Sequence, residues 1–424
     1  MSLTLSRAEQ RMLDGGEGPG VAMAMRIVVA LARLRAADRL RPVASAHLDG
    51  CLHHGRAGLD FVERLVELGG QVRIPTTLNV GSLDLLHPTL ARLSPTEASE
   101  GRKLMDTYVG LGARPTWTCA PYQEGHRPGL GEHVAWAESN AIVFCNSVLG
   151  ARTDRYGDFL DVSAAITGLA PDAGLHLSEN RRATLIVDCG SLSGELRSSS
   201  VLYPVLGYLA GRQAGTAVPV FTGLADARPD EDKLKALGAT AASAGGVALF
   251  HVVGVTPEAP TLAAALGGRR PSDVPTVVVD ADALRTARNS LTTARGDDID
   301  AVSLGTPHFS LAEFAALAEL TSAGAAFDPS TEVWVSTSRA VLAQARDAGY
   351  LDPIEQAGAT ILTDTCTYVT PVLRPGTRVV MTNSGKWAYY APGNIGVDVV
   401  FADLAECVAS ARTGRVVRDD RIWS

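Results

Sequence analysis

The chain has 424 residues, of which 46% are hydrophobic, 20% charged and only 5% aromatic. This length is enough for two or three domains with sizeable cores, and the high apolar content excludes a chain that is mainly disordered. The net charge of −8 excludes a protein that binds nucleic acid by neutralising phosphates, and it disfavours adhesion to an anionic membrane surface.

No targeting or membrane segment is visible in the sequence. The amino-terminal residues lack the basic and apolar regions of a signal peptide, and no apolar run reaches the length of a membrane helix. We therefore expect a cytoplasmic protein. In a reducing compartment its six cysteines are free thiols or metal ligands, at positions 51, 119, 145, 189, 366 and 407.

The first elements can be predicted in chain order. A capping box formed by Ser6 and Glu9 predicts the start of a helix, which two glycines end, and a second helix follows. The pattern then alternates between strands and helices, with a strand over Arg41–His47, a helix over Leu59–Leu68 and a strand over Gln71–Ile74 that ends at Pro75.

Later apolar runs rich in Val and Ile continue this alternation, which predicts an α/β fold with mainly parallel sheets. Pro219 lies in one of these runs and indicates an edge strand. Subdomain boundaries are predicted near 120–131 and 257–275. The predicted strands are Leu185–Val187, Val218–Phe221, Val247–Val253, Thr276–Val279, Ala301–Leu304, Glu332–Val335, Thr360–Leu362 and Arg378–Met381.

Small, polar and thiol side chains follow several of the predicted strands. Ligands of parallel sheets bind at the carboxyl ends of strands, so these loops are the candidate site. The loops are Ser45-Ala-His47-Leu-Asp49-Gly-Cys51, Pro75-Thr76-Thr77-Leu-Asn79, Trp117-Thr-Cys119, Gly305-Thr306-Pro-His308, Thr363-Asp364-Thr-Cys366 and Thr382-Asn383-Ser384-Gly-Lys386.

The cysteines divide by their positions. Cys145, Cys189 and Cys407 lie in apolar strands or helices and read as small buried residues. Cys119 and Cys366 lie in polar loops and favour a metal site, whereas Cys51 fits both interpretations. Thiols spaced so widely do not form a zinc finger, but they can converge as ligands of an iron–sulfur cluster.

The stretch from Gly131 to Thr153 reads as a buried helix with polar residues embedded in it, among them Glu138 and Ser139. Buried polar groups need hydrogen-bond partners. The pattern therefore indicates either a polar pocket beside the helix or a hydrogen-bonded network in the core.

At these residues the sequence resembles the aconitase X family, and the similarity runs from about Leu3 to about Arg415. The matching motifs occur in the family's order. They are Pro75-Thr-Thr-Leu-Asn79, Thr118-Cys-Ala-Pro-Tyr122, Gly131–Thr153, Val252-Val-Gly-Val-Thr-Pro-Glu258, Pro307-His-Phe-Ser310, Thr363-Asp-Thr-Cys366 and Thr382-Asn-Ser-Gly-Lys386.

The resemblance implies three α/β domains around an iron–sulfur cluster and a fourth, small swivelling domain. Known members dehydrate cis-3-hydroxy-L-proline or, in an archaeal branch, mevalonate 5-phosphate. Because this sequence ends soon after the three-domain region, it looks like a large subunit whose small partner is a separate chain.

One departure bears on the branch. The archaeal motif carries a cysteine ligand where this chain has Thr306, and a hydroxyl is a poor substitute for a thiolate toward iron. Cys51 lies at a position associated with the hydroxyproline branch. The resemblance thus implies Cys51, Cys119 and Cys366 as cluster ligands and cis-3-hydroxy-L-proline as the small-molecule substrate.

The implied elimination of water needs a base, a Lewis acid and donors for the carboxylate. His47 and His308 are candidates for proton transfer, and Lys386 is a third catalytic candidate. Donors to the substrate are expected among Ser45, Thr76, Thr77, Asn79, Ser139, Asn383 and Ser384. Acceptors for the ring ammonium are expected among Asp49, Glu138 and Asp364.

Two other functions remain open from the sequence. One is a mevalonate 5-phosphate dehydratase, which would need several cationic groups around the phosphate. The other is a non-catalytic α/β subunit that lost its cluster, as Thr306 could indicate. In aconitase relatives the base is a serine of the small domain, so this chain alone would lack it.

Overall fold

The computed structural model describes residues 3–322, 324–419 and 421–423. The described residues form two compact units. The first holds those of Met1–Leu83 and Leu93–Arg182, and the second those of Asp84–Arg92 and Ala183–Ser424. Among the described residues, no helix combines the length and the apolar character that a bilayer span requires.

The first unit has short strands and longer helices. Its strands are β1 (Leu40–Pro42), β2 (Ala46–Leu48), β3 (Thr76–Leu78), β4 (Ala135–Trp136) and β5 (Leu169–Pro171). Its helices are α1 (Arg7–Leu13), α2 (Pro19–Leu34), α3 (Arg56–Glu67), α4 (Pro95–Gly110), α5 (Ser139–Phe144) and α6 (Leu160–Thr167). The capping box of Ser6 and Glu9 begins α1, as predicted.

Two strand predictions in this unit were wrong. Arg41–His47 is not one strand, because β1 pairs antiparallel with β5 whereas β2 pairs parallel with β3 and β4. Gln71–Ile74 forms no strand; the strand instead follows Pro75 and pairs residue by residue with β2. The three-stranded sheet therefore has the order β3-β2-β4.

The stretch from Gly131 to Thr153 is also not a single helix. Its first apolar residues form β4, α5 begins only at Ser139, and one π-helical turn covers Cys145–Leu149. The buried side chains of this stretch pack with Ala120 and Tyr122 in one core cluster. The prediction of burial is thus confirmed, and the prediction of continuous helix is not.

The second unit has two parallel sheets covered by helices. Its strands are β6 (Leu185–Asp188), β7 (Pro219–Thr222), β8 (His251–Val252), β9 (Thr276–Val278), β10 (Ala301–Phe309), β11 (Glu332–Thr337), β12 (Ala359–Leu362), β13 (Val379–Thr382) and β14 (Asp398–Phe401). Its helices are α7 (Gly194–Ser198), α8 (Leu202–Ala214), α9 (Glu231–Ala244), α10 (Leu262–Ala265), α11 (Ala281–Ser290), α12 (Leu311–Ser322), α13 (Arg339–Asp347), α14 (Leu351–Gln356), α15 (Gly385–Ile395) and α16 (Leu404–Thr413).

Both sheets confirm the predicted α/β class with mainly parallel strands. The first has the order β8-β7-β6-β9, so β7 is an internal strand and the edge position inferred from Pro219 was wrong. Pro219 is tolerated because it is the first residue of its strand, where no ladder hydrogen bond is needed.

The second sheet has the order β12-β11-β10-β13-β14. From the central strand β10 the chain first builds outward to β12 and then returns to the other side with β13. Ligands of open α/β sheets bind beyond the carboxyl ends of strands at such a reversal. The end of β10 and the loops after β12 and β13 carry His308, Cys366 and Asn383, three of the predicted site residues.

A short segment from the first half of the sequence belongs to the second unit. This segment, Asp84–Arg92, is called the strap here. The Asp84 carboxylate accepts a hydrogen bond from the Thr363 amide, and the Arg92 guanidinium donates to the Leu373 carbonyl. Leu90 packs against the apolar cluster around Trp334. The strap thereby lies against the loop that contains Cys366.

Candidate active site

The Cys366 loop of the second unit is held by a buried carboxylate. Asp364 has a φ of 63°, a left-handed conformation that needs compensating contacts in a non-glycine residue. Its Oδ1 accepts from Arg339 Nε at 2.7 Å, and its Oδ2 accepts from Arg339 Nη2 at 2.6 Å. The Leu85 amide of the strap donates to Oδ2 at 3.0 Å. Asp364, which the sequence suggested as an acceptor for the ring ammonium, thus anchors the loop through both of its carboxylate oxygens.

His308 lies beside this loop. The Nε2 atom of His308 is 3.2 Å from the carbonyl oxygen of Thr365, and a ring nitrogen lies within 4.8 Å of the Cys366 Sγ atom. Both His308 and Cys366 are buried. The second unit therefore brings together a histidine and a thiol that the sequence predicted separately.

The close approach of β10 to β11 explains the glycine in the Gly-Thr-Pro-His motif. Gly305 has a φ of 84°, and a Cβ atom there would lie 2.1 Å from the carbonyl oxygen of Ser336. No other residue fits this position without displacing the backbone. The bend shifts the register of the two strands between Leu304 and Phe309 and directs the chain toward His308.

The loop after β13 leads into α15, and two of its predicted donors have different surroundings. The Ser384 hydroxyl donates to the Thr306 carbonyl and accepts from the Trp387 amide, so its main task is to cap α15. Asn383 is partly exposed, and Lys386 is buried in the first turn of α15. Among described atoms, the buried Thr306 Oγ1 has no hydrogen-bond partner.

In the first unit, a threonine joins two histidines. Thr77 Oγ1 lies 2.9 Å from His47 Nδ1 and 3.0 Å from His126 Nδ1. Burial lowers the pKa of His47 to about 3 and that of His126 to about 4, and in His47 the neighbouring His126 adds to the effect. Both rings are therefore neutral at pH 7, the state in which an imidazole can accept a proton.

His126 was not recognised from the sequence. It lies in the Gly- and Pro-rich stretch 120–131, where the sequence predicts only a domain boundary, and nothing local to it indicates a site. Its contact with Thr77 and its edge-on packing against Trp136, with ring centroids 5.0 Å apart, arise from the tertiary fold. Only the presence of a histidine in a loop after a predicted Trp-Thr-Cys motif could have pointed to it.

Cys51 lies in an acidic and fully buried environment. Burial is the main cause that raises the pKa of its thiol well above the ordinary value, and Asp161 and Asp49 add to it. Burial also raises the pKa of Asp49 to about 8, with a contribution from Glu138, and the pKa of Asp161 to about 7. A bound cation would reverse these shifts, because positive charge favours thiolate and carboxylate.

The Cys119 loop is fixed by Asn140, a residue in the first turn of α5. Asn140 Nδ2 donates to the Cys119 carbonyl and to the Tyr122 hydroxyl, both at 2.9 Å. The Tyr122 ring stacks on Phe144 with centroids 3.6 Å apart. Asn140, a polar residue within an apolar stretch, therefore supports the loop that carries the predicted ligand Cys119.

The other predicted substrate-binding residues of the first unit lie at both ends of its sheet. Asn79 and Glu138 follow strands, and Glu138 caps α5 by accepting from the Ala141 amide while Ser139 donates to its other oxygen. Ser45 and Thr76 instead lie at the amino ends of β2 and β3, and Thr76 donates to the Ile74 carbonyl. The expected carboxyl-end position of these two residues is not found, because the strands begin later than predicted.

Comparison with known proteins identifies the family. Sequence models of the first, second and third domains of aconitase X match residues 2–179, 183–289 and 299–413. The chain belongs to the aconitase X family. The resemblance inferred from the motifs is thereby confirmed.

Named relatives of this aconitase X chain fall into two groups. The cis-3-hydroxy-L-proline dehydratase of Pseudomonas aeruginosa is 44% identical over 97% of this chain and 70% of its own length. The cis-3-hydroxy-L-proline dehydratase of Hypocrea jecorina is 41% identical over 98% of this chain and 69% of its own length. The phosphomevalonate dehydratase large subunit of Methanothermobacter thermautotrophicus is 41% identical over 94% of this chain and 96% of its own length.

A solved structure shares the fold. The crystal structure of Thermococcus kodakaraensis aconitase X in its holo-form matches with a TM-score of 0.85 and 35% identity. The match covers 97% of this chain and all of the other. The three-domain α/β architecture implied by the resemblance is consistent with this similarity.

The side chains of this chain fit an iron–sulfur group. Such clusters are held by thiolates, with occasional imidazole ligands. Cys51, Cys119 and Cys366 are buried in polar loops, and Cys366 has a histidine within reach. Cys145 and Cys407 are also buried but lie in a π-helical turn and a helix. The loop thiols therefore match the chemistry of the group, whereas the others match a core position.

Proposed function

We propose that this chain is the large subunit of a hydro-lyase that converts cis-3-hydroxy-L-proline to pyrroline-2-carboxylate. The observation that carries the proposal is the identity of 44% over 97% of the chain to a relative that bears this activity in its name. Aconitase X relatives with either substrate are named dehydratases, so removal of water is common to both.

The cofactor of the proposed reaction is an iron–sulfur cluster with Cys51, Cys119 and Cys366 as its ligands. When bound, it would supply a Lewis acid that assists departure of the 3-hydroxyl group. The support is the buried loop position of each thiol and the acidic surroundings of Cys51, which favour a cation. Thr306 lacks the thiolate that iron prefers, so it is not proposed as a ligand.

The role of the chain's own residues follows from their hydrogen bonds. A carbonyl oxygen only accepts, so the contact with Thr365 places the proton of a neutral His308 on Nε2 and leaves the lone pair on Nδ1. His308 is thus proposed to carry a proton to or from the substrate. His47 is proposed as a second, neutral proton-transfer group in the first unit, held by Thr77.

The substrate is a zwitterion and needs both donors and an acceptor. Lys386 and Asn383 are proposed as donors to the carboxylate, since Ser384 is committed to its helix cap. Glu138 is proposed as acceptor for the ring ammonium. Asp49 is not proposed for that role, because its Oδ1 accepts a hydrogen bond from Asn79 Nδ2 beside Cys51.

In the proposed elimination a base removes the Cα proton, and the electron pair forms the ring double bond as the 3-hydroxyl leaves and is protonated to water. The enamine then takes a proton on C3 and releases the proton of its ring nitrogen, which moves the double bond to C=N and gives pyrroline-2-carboxylate. The trans epimer would present its hydroxyl on the opposite ring face and is expected to be rejected.

A small partner chain completes the proposed enzyme. Its support is the name "large subunit" that the archaeal relatives carry. Mevalonate 5-phosphate is the second candidate substrate, favoured by the 41% identity to the Methanothermobacter protein, of which this chain covers 96%.

The experiment supplies this chain with the part of the Pseudomonas relative that lies outside the matched region. Both hydroxyproline epimers and mevalonate 5-phosphate are offered, and pyrroline carboxylate is followed by coupled reduction. We expect turnover of the cis epimer alone, and none with Cys366→Ala. Turnover of the phosphate ester alone would replace the substrate, and full turnover by the isolated chain would remove the need for a partner.

A further inference from the structure

Lys235 of α9 is a buried cation with three acceptors. Its side chain is 2% exposed, and its Nζ atom lies 2.9 Å from Asp232 Oδ1, 2.5 Å from Glu313 Oε2 and 3.3 Å from the His308 carbonyl oxygen. Burial lowers the pKa of Lys235, but the two carboxylates outweigh it and raise the pKa above its ordinary value. The residue is therefore charged, and an ammonium group has three hydrogens for these three acceptors.

The same contacts tie α9 to the start of α12. Ser310 and Glu313 form a capping box, in which the Ser310 amide donates to Glu313 Oε2 at 2.9 Å and the Glu313 amide donates to Ser310 Oγ at 3.1 Å. The Ser310 hydroxyl donates to Asp232 Oδ2 at 2.6 Å. Asp232 and Lys235 thus hold the cap that begins two residues after His308.

A role in stability alone gives a poor account of this arrangement. Burying the ammonium group, with two carboxylates that stay 26% and 23% exposed, carries a desolvation cost, and well-packed apolar residues often stabilise as much. The capping box is already complete between Ser310 and Glu313. What the lysine adds is a hydrogen bond that fixes the His308 carbonyl near the carboxyl end of β10.

His308 is consequently held at two points. Lys235 binds its main-chain oxygen, and the Thr365 carbonyl accepts from its ring at Nε2. A side chain that transfers protons must stay within a fraction of an ångström of its working position, and supporting contacts provide this.

We propose that Lys235 is a positioning residue, whose hydrogen bond to the His308 carbonyl fixes the imidazole for proton transfer. This inference rests on the proposed function, in which His308 acts on the substrate. Lys235 itself touches no substrate, because its three donors are taken by protein groups.

The first test is a double-mutant cycle in the reconstituted enzyme. Lys235→Met is expected to lower kcat about 30-fold with KM changed by less than about threefold, because positioning rather than binding is lost. In a His308→Ala background the same change is expected to alter kcat by less than about twofold, since residues that act through one another are not additive. Equal losses in both backgrounds would overturn the inference.

The matched control is Lys233→Met on the same helix. Lys233 pairs with Asp230 at 3.6 Å in the first turn of α9, and its Nζ atom lies 6.0 Å from the centroid of the Tyr203 ring. We expect its kcat to equal that of the unchanged enzyme. Lys235→Gln keeps one donor for the carbonyl and serves as the second variant if Lys235→Met does not fold.

A second measurement needs no turnover. Hydrogen–deuterium exchange of the apo chain is compared for peptides that cover residues 305–310. We expect at least about tenfold faster exchange in Lys235→Met and no change in Lys233→Met, because local opening becomes easier. Unchanged exchange in Lys235→Met would refute the positioning role. Faster exchange in an enzyme that dehydrates no hydroxyproline would refute the proposed function, and it would show only that Lys235 holds the His308 main chain.

Discussion

The imidazole of His308 donates from Nε2 to the carbonyl oxygen of Thr365, the residue that directly precedes Cys366. A predicted proton-transfer group and a predicted cluster ligand are thus linked through one peptide unit. The relationship joins the end of β10 to the loop after β12, two elements that are not neighbours in the sheet order β12-β11-β10-β13-β14. A substitution that moves the end of β10 should therefore also move the loop after β12, and the reverse.

Replacement of His308 tests its part in the chemistry. We expect His308→Ala to lower kcat by about 10²- to 10⁴-fold, the range over which general acid–base groups contribute. The measurement is initial-rate kinetics of pyrroline carboxylate formation, with the exposed His54→Ala as control. A His308→Ala enzyme with kcat within twofold of the starting protein would rule out the assignment.

Replacement of single cysteines tests the ligand set. Cys51→Ala, Cys119→Ala and Cys366→Ala are each expected to lose bound iron and sulfide after anaerobic preparation, because each removes a thiolate from a polar loop. Cys145→Ala and Cys407→Ala should retain both, since these thiols are packed in a π-helical turn and in α16. Elemental analysis per chain is the readout, and full iron content in Cys366→Ala would contradict the proposal.

A buried arginine supports the π-helical turn of the first unit. Arg181 donates to the Asn146 side chain and to the carbonyls of Asn146, Ala151 and Leu175 at 3.0–3.1 Å. Arg181→Met leaves these buried acceptors unpaired, which is expected to lower the free energy of unfolding by roughly 3 kcal/mol. Urea unfolding measures it, with the exposed Arg182→Met as control; equal midpoints for the two variants would speak against the role.

The pH dependence of stability should report a buried histidine. His176 Nδ1 lies 2.9 Å from His133 Nδ1, and its Nε2 faces the Tyr156 hydroxyl at 2.5 Å. Burial, and after it the neighbouring His133, lowers the pKa of His176 to about 3. On acidification His176 is therefore protonated in the unfolded chain while it is still neutral in the folded chain. The contribution of His176 to the free energy of unfolding should then fall by about 2 kcal/mol between about pH 7.5 and about pH 5.

The variant His176→Gln separates this residue from other titrating groups. It should lose stability at neutral pH through its altered hydrogen bonds, yet show a smaller change on acidification than the starting protein. The exposed His54→Gln is the control and should keep the original pH dependence. An unchanged slope in His176→Gln would show that other groups are responsible.

The local parts of the fold could be predicted from the sequence. The capping box of Ser6, the α/β alternation and the parallel strands around β10 follow from short-range patterns and are found as predicted. The grouping of polar residues after strands likewise led to His308 and Cys366, because the ends of parallel strands share one edge of a sheet.

Long-range contacts could not be predicted in this way. Lys235 meets the His308 carbonyl across 73 positions of sequence, and His126 meets Thr77 across 49. A single sequence carries no local sign of such pairs. The division of Arg41–His47 between two sheets depends in the same way on the partners β5 and β3, which lie far along the chain.

The strap sets an order of events during synthesis. The Leu85 amide cannot donate to the Asp364 carboxylate until Asp364, 279 positions later in the chain, has been synthesised. At elongation rates of about 5–20 residues per second, the strap stays without these contacts for roughly 15 to 55 s. If the chain were divided between residues 182 and 183, the second part could form these contacts only if the strap were supplied with it.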